Sequence, residues 1–257
     1  MALLKVKGLT KRFGGLLANN EIDLEVPKGS LFAVIGPNGA GKTTFFSMIS
    51  GFLNSTSGSI AFDGRDTTRM RQDQIAAMGL IRTFQLVQLF KGMSVAENVE
   101  VGCHLATRGG VAAALLRPSW FRRQEAEVHE RARELLDFVG LGAQADLDAE
   151  LLPYGQQRLL EVARALASRP RLLLLDEPAA GLNTQETDGL AHIIEKINRQ
   201  GTTVLLIEHD VGLVTRIAHR IAVLDFGRKI AEGTPDEIKV HPEVIAAYLG
   251  VEEAAHA

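Results

Sequence analysis

Cysteine is almost absent from this 257-residue chain: Cys103 stands alone. A single thiol closes no internal disulfide, and although His104 is its neighbour, no second Cys or spaced ligand pair offers a structural zinc site. Both facts suit a reducing compartment. A basic surplus is also missing, with 28 Lys and Arg against 31 Asp and Glu and a net charge of −3. No global positive field attracts nucleic acid or anionic lipid, so no nucleic-acid partner is expected. Nowhere do about 18 apolar residues run uninterrupted. Met1 to Thr10 has lysines but no apolar h-region or small-residue cleavage site. The expectation is a chain that neither exports itself nor spans a bilayer. Internal repeats and low-complexity tails are absent as well. Glycine, by contrast, is abundant: 25 residues, where an average chain has roughly 7 %. The length fits one large domain or a domain with a subdomain.

Two kinds of strand are legible. Leu3 to Leu9, Ile22 to Val26 and Ser59 to Asp63 alternate apolar with polar residues in part, which predicts an antiparallel β layer with one solvated face. Leu31 to Ile35, Leu172 to Leu175 and Val204 to Ile207 are continuous apolar runs closed by Gly, Asp or Glu-His. They predict buried parallel strands. Between about Leu86 and Ala167 the texture turns helical. Ser94 to Glu97 is a capping box, and Val128, Ala132, Leu135, Leu136 and Val139 recur at helical spacing. Arg117 to Arg123 interleaves basic and aromatic residues, a pattern open to RNA or lipid contact but expected as a loop of the helical insert. Thr234-Pro-Asp-Glu237 predicts a short capped helix near the end.

Directly after the strand at Leu31 to Ile35 comes Gly36-Pro37-Asn38-Gly39-Ala40-Gly41-Lys42-Thr43, then Thr44 and a helix. The pattern G-x-x-x-x-G-K-[ST] between strand and helix is a phosphate-binding loop. Converging backbone N–H groups approach phosphate oxygens only where side chains are absent, hence Gly36, Gly39 and Gly41. The helix adds its positive end. Lys42 brings a charge to the β- and γ-phosphates, the Thr43 hydroxyl can ligate Mg2+, and Thr44 adds a further hydroxyl. The plainer alternative is a glycine turn before a helix.

A phosphate loop names a ligand and not a reaction. Leu172 to Leu175 delivers Asp176 and Glu177 to a strand end, where open α/β sheets place their ligands. Asp176 is suited to hold Mg2+ through water and Glu177 to polarise an attacking water. Gln85, at the junction with the helical insert, is suited to reach Mg2+ or water and to act as a hinge, or is ordinary surface. Leu152 to Arg158 precedes a helix expected at Leu159 to Ala167, and its donors suit a phosphate or simply a Pro-Gly turn. His209 follows the strand at Val204 to Ile207, beside the other strand ends. Phe13 is suited to stack an adenine or to sit in the core.

As a set, these residues resemble the ATP-binding subunit of ABC transporters: Walker A at Gly36 to Thr44, Q-loop at Gln85, signature at Leu152 to Gln156, Walker B at Leu172 to Glu177 and switch His209. Leu-Pro-Tyr-Gly-Gln-Gln-Arg158, Asp-Glu-Pro-Ala-Ala-Gly-Leu-Asn183 and Ala-Ala-Tyr-Leu-Gly250 look like the LivG-type ATPases of branched-chain amino-acid importers. The resemblance implies an α/β fold: a P-loop NTPase (RecA-like) core with an N-terminal antiparallel β subdomain and an inserted α-helical subdomain. Residues 1–86 and 168–257 would form the core, and 87–167 the helical subdomain with the signature. It implies ATP and Mg2+ as cofactors. Phe13, Gly36 to Thr44, Gly155 and Gln156 would contact nucleotide, Thr43, Gln85 and Asp176 the metal, and Glu177, His209 and Gln85 would serve catalysis. Implied partners are transmembrane permease subunits, a second ABC ATPase subunit in a head-to-tail dimer and, indirectly, a substrate-binding protein. The implied location is cytoplasmic, on the inner face of the membrane through the permease. Leu86, Val87, Leu89 and Phe90 are candidates for permease contact or for burial within the subdomain. An exporter ATPase, such as one for lipopolysaccharide, or a non-transport ABC ATPase would share this machinery.

Two motifs depart from the family pattern. Pro153 and Tyr154 replace the usual Ser and first Gly of the signature, and Asn183 replaces the usual Asp of the D-loop. Asn183 with Glu186 also reads as an N-terminal capping box.

Overall fold

The alternating segments and the continuous apolar runs fold into different sheets. In the computed structural model, which describes residues 1–83, 88–106 and 118–255 (105–106 and 249–255 by backbone alone), β1 (Ala2–Phe13), β2 (Leu16–Pro27), β4 (Ser57–Phe62) and β5 (Arg65–Asp66) form an antiparallel sheet in the order β2-β1-β4-β5. Along β2, Ile22, Leu24 and Val26 are buried while Asp23 and Glu25 face solvent, as the period-2 pattern requires.

The continuous runs become β3 (Leu31–Ile35), β7 (Leu172–Asp176) and β8 (Thr203–Ile207), every residue of which is buried. With β6 (Leu80–Arg82), β9 (Arg220–Asp225) and β10 (Arg228–Gly233) they make a six-stranded sheet in the order β10-β9-β3-β8-β7-β6. All its pairings are parallel except the β9–β10 hairpin. Between the sheets, α1 (Lys42–Ile49) buries Phe45, Phe46, Met48 and Ile49 in one core with Leu4, Val6, Phe62, Val34, Leu174 and Ile207. Each large apolar side chain so buried contributes about 1.5–3 kcal/mol, which fixes the phosphate loop at the head of α1. The remaining helices of this part are α2 (Gln72–Ala77), α6 (Thr184–Arg199), α7 (Val211–Ile217), α8 (Pro235–Lys239) and α9 (Pro242–Ala255), labelled in chain order.

The chain divides into two units, Met1–Arg82 with Arg171–Ala257, and Thr83–Pro170. The second unit packs α3 (Val95–Gly102), α4 (Ser119–Val139) and α5 (Tyr154–Ala167) against one another. Ser94 accepts from Glu97 N while Glu97 caps Ser94 N, the predicted box. Ala132, Leu135, Leu136 and Val139 form the buried stripe of α4. Residues 119–123, expected in a loop, instead open α4. Pro118 sits at the N-cap position with φ −59°, preset for entry into a helix. Likewise α5 begins at Tyr154, five residues before Leu159, again behind a proline. Among the described residues no helix is long and apolar enough to cross a membrane.

Candidate nucleotide site

Sheet register brings the proposed groups to one edge. Val34 pairs with Ile207, and Asp176 pairs with Ile207 from the other side, so β3, β7 and β8 end together. The loop at Gly36, the carboxylates Asp176 and Glu177, and Glu208-His209 leave the sheet from those three neighbouring ends. This is the topological position at which open α/β sheets bind ligands.

The loop's shape depends on missing side chains. A Cβ on Gly36, whose φ is 151°, would run into the Leu224 carbonyl oxygen, and one on Gly41 (φ 93°) would strike the Ala18 carbonyl and come within 2.6 Å of Asn19 Nδ2. Asn19 is fully buried and donates from Nδ2 to Gly41 O at 3.2 Å. Gly227 N donates to Ala40 O at 3.1 Å, so β2 and the β9–β10 turn both clamp the loop. Asn38 and Gly39 stand exposed at its tip and Pro37 is half-buried. Lys42 is 5 % exposed and donates from Nζ to Gly36 O (2.7 Å) and Pro37 O (2.9 Å). Burial pulls its ammonium below the ordinary 10.5, and the charges of Glu177, Asp176 and Glu208 oppose that shift. Three carboxylates therefore act on this one lysine. Thr43 and Thr44 lie in the first turn of α1, where backbone N–H groups have no helical carbonyl to meet.

Asp176 is 1 % exposed, and its Oδ2 accepts from the Arg82 guanidinium at 2.6 Å. Its Oδ1 is buried with no hydrogen-bond partner among the described residues. A buried carboxylate oxygen left without a donor fits a cation ligand of the oxygen kind that Mg2+ takes. Glu177 holds a left-handed backbone, φ 46°, a conformation costing about 1–3 kcal/mol in a side-chain-bearing residue. It persists because Glu177 N donates to Ile207 O (3.0 Å) and Glu177 O accepts from Ala180 N (3.1 Å). Glu208 is fully buried, and it accepts from Ala179 N at 2.8 Å through Oε1 and from His209 N at 3.2 Å through Oε2. His209 is 58 % exposed, its Nδ1 3.8 Å from Glu208 Oε2, beyond hydrogen-bond range. Asp210 then caps α7 by accepting from Leu213 N.

The other expected residues lie on other elements or outside the described residues. Gln85, with Leu86 and Val87, lies outside the described residues. Phe13 is 46 % exposed with Lys11 Nζ 4.9 Å from its ring centroid, so it is not a core residue. In the second unit Gly155 and Gln156 occupy the first turn of α5. Leu89 is half-buried and Phe90 exposed. Near them is an open groove of about 560 Å³ lined by Gln88, Leu89, Lys91, Glu150 and Gln157. Sequence reasoning missed Arg82 and Glu208 as site residues. Glu208 carried a signal, an acid ending a wholly apolar strand, whereas Arg82 carried none beyond its place near Gln85.

The family model described as ABC transporter matches residues 19–180, from the clamp on the loop through the Asp176–Glu177 pair. The chain is an ABC transporter ATPase cassette. A second model, described as branched-chain amino acid ATP-binding cassette transporter, matches residues 228–254 of the cassette. The cassette is 47 % identical over 249 residues to LivG of Salmonella typhimurium, a high-affinity branched-chain amino acid transport ATP-binding protein, covering 96 % of this chain and 98 % of that one. Among solved structures it resembles an ATP-binding cassette of an ABC transporter in its ADP conformation, with TM-score 0.85, 31 % identity, and 97 % and 99 % of the two chains covered. A dimeric cassette in a post-hydrolysis state, bound to ADP and Pi, matches with TM-score 0.77 and 26 % identity over 90 % of this chain and 98 % of that one. The α/β architecture expected from the resemblance is thus the fold observed.

Proposed function

We propose that this cassette couples ATP hydrolysis to import of branched-chain or related amino acids. The observation that carries the cargo is the likeness running through residues 228–254, beyond the parts that every cassette needs for hydrolysis. The ATPase does not touch the cargo, so its specificity resides in the proteins it drives. Those partners are transmembrane permease subunits, a sister or identical ATPase and, indirectly, a substrate-binding protein. They hold the cassette at the inner face of the membrane. The groove at Gln88, Leu89 and Lys91, with exposed Phe90 beside it, supports the second unit as the surface that meets the permease.

In this reading Lys42 and the loop Gly36 to Thr44, through its backbone N–H groups other than at Pro37, bind the phosphates, and Phe13 stacks the adenine. Thr43, Gln85 and Asp176 hold Mg2+, which when bound screens the phosphate charge. Glu177 accepts the proton of the attacking water as the new bond to the γ-phosphorus forms and the bond to the β-phosphate oxygen breaks. His209 and Gln85 orient the γ-phosphate and the water. Gly155 and Gln156, at the amino end of α5, serve the nucleotide of a partner subunit. Co-expression of the cassette with branched-chain amino-acid permease subunits and a second ATPase, reconstituted in vesicles with ATP, tests the cargo. Leucine uptake that depends on ATP and binding protein is expected. ATP turnover stimulated by lipopolysaccharide, without amino-acid uptake, would transfer the cassette to export.

A further inference from the structure

Arg82 ends β6, the edge strand beside β7, and its guanidinium makes hydrogen bonds that the hydrolysis scheme does not use. It donates to Asp176 Oδ2 at 2.6 Å, to Ser47 Oγ at 3.2 Å and to Ser50 Oγ at 3.1 Å. Its Cζ also lies 5.4 Å from the Phe52 ring centroid. The side chains of Arg82 and Asp176 are 8 % and 1 % exposed. Ser47 lies on α1 and Ser50 caps its carboxyl end, with Ser50 Oγ in turn donating to Phe46 O. One planar group therefore locks the carboxylate of β7 to the helix that begins at Lys42.

The lock is asymmetric. Arg82 engages Oδ2 alone, and Oδ1 is left buried without a donor among the described residues. A carboxylate free to rotate would share both oxygens with the nearest cation, whereas one pinned through Oδ2 keeps Oδ1 fixed as the remaining ligand. We propose that Arg82 is a positioning residue for the cation: it fixes the Asp176 carboxylate and presents Oδ1 to Mg2+. Groups that orient metal ligands in this way typically control metal affinity by about 10- to 100-fold. Arg suits the task better than Lys because a planar fork reaches the carboxylate and two hydroxyls at once. The inference rests on the proposal that Mg2+ and nucleotide bind at this edge.

The experiment titrates Mg2+ into the full chain at fixed ADP and follows nucleotide binding and thermal melting. Arg82→Met is expected to raise the Mg2+ concentration for half-saturation by about 10- to 100-fold. ADP affinity in the presence of EDTA should stay at the wild-type value, because the contacts described for Arg82 are with Asp176, Ser47, Ser50 and Phe52, none of them in the phosphate loop. Arg82→Lys, which keeps a charge beside Asp176 and serves if the Met variant does not fold, should fall between. The double change Ser47→Ala with Ser50→Ala, which loosens Arg82 but leaves the ion pair, should also raise the Mg2+ requirement. A requirement unchanged or tightened in Arg82→Met, or in Arg82→Lys where only that variant folds, overturns the positioning role. So does an equal loss of ADP affinity with and without Mg2+, which marks a structural role only. Failure of Mg2+ to strengthen ADP binding to the wild-type chain would instead overturn the metal–nucleotide reading itself.

Discussion

Gly36 and Gly39 share a left-handed backbone but differ in what surrounds them, so the same substitution should have unequal effects. At Gly36 a methyl group meets the Leu224 carbonyl, part of a central strand that cannot yield, whereas at Gly39 it meets nothing within 4 Å. Gly36→Ala is expected to cost more than about 2 kcal/mol and to abolish ADP binding. Gly39→Ala should cost about 1–2 kcal/mol, from backbone strain alone. Urea unfolding with an ADP titration checks the order, and equal costs would refute the account. Glu208 makes a pH prediction. Burial raises its pKa above the ordinary 4.5, with the Ala179 N–H, the His209 charge and the His209 N–H opposing. The folded state therefore holds this proton more tightly than the unfolded state. The associated stability is complete below 4.5 and is lost as pH rises through the raised value. Glu208→Gln does not titrate, so wild type should lose stability relative to the variant over that window and level off above it. Unfolding free energies measured upward from pH 4.5 decide the sign. Asp176, Glu177 and His209 were proposed from the sequence because they close or follow wholly apolar strands, and Lys42 because it ends the glycine-rich loop that follows another. Arg82 was not, because its partner Asp176 is 94 residues away and only the parallel pairing of β6 with β7 joins them.

At the scale of elements, caps were read well and helix starts less well. Asn183 accepts from Glu186 N at 3.0 Å, and Glu186 accepts from Asn183 N at 2.9 Å, so the D-loop departure is a working capping box of α6. Asn183→Ala should cost about 1 kcal/mol in urea unfolding, and Asn183→Asp, which restores the usual family residue and also caps, should stay within about 0.5 kcal/mol of wild type. A charge effect on ATP turnover in the Asp variant, with stability unchanged, would then report the D-loop and not the helix. The signature shows why boundaries were harder. Leu152 to Arg158 was expected to precede its helix, yet Pro153 serves as an N-cap and the helix begins at Tyr154. The sequence Pro-Tyr-Gly looked like a turn because Pro and Gly usually punctuate. Proline just ahead of a first turn starts a helix equally well, and Gly155 is tolerated once α5 is packed through Leu160, Val162, Ala163 and Leu166.

For the whole molecule, the distribution of groups between the two units carries the last prediction. Lys42, Asp176, Glu177 and His209 all belong to the unit made of Met1–Arg82 and Arg171–Ala257, while Gly155 and Gln156 belong to Thr83–Pro170. If the amino end of α5 serves a partner's nucleotide, ATP should join two chains and its hydrolysis should release them. Glu177→Gln separates these steps, because the amide cannot take a proton from water but alters little else in shape. Turnover is expected to fall by about 10²- to 10⁴-fold, the usual contribution of a general base, with ATP affinity retained. With MgATP the variant should migrate at twice the monomer mass in size-exclusion chromatography with light scattering, and with MgADP it should return to 27.8 kDa. Near-normal turnover would remove Glu177 from the base role. Retained ATP binding with no dimer would leave the base role intact and require a different cassette as partner, which mixing with the sister ATPase would restore. Dimer formation in ADP as readily as in ATP would break the link between the γ-phosphate and assembly, and with it the proposed use of Gly155 and Gln156.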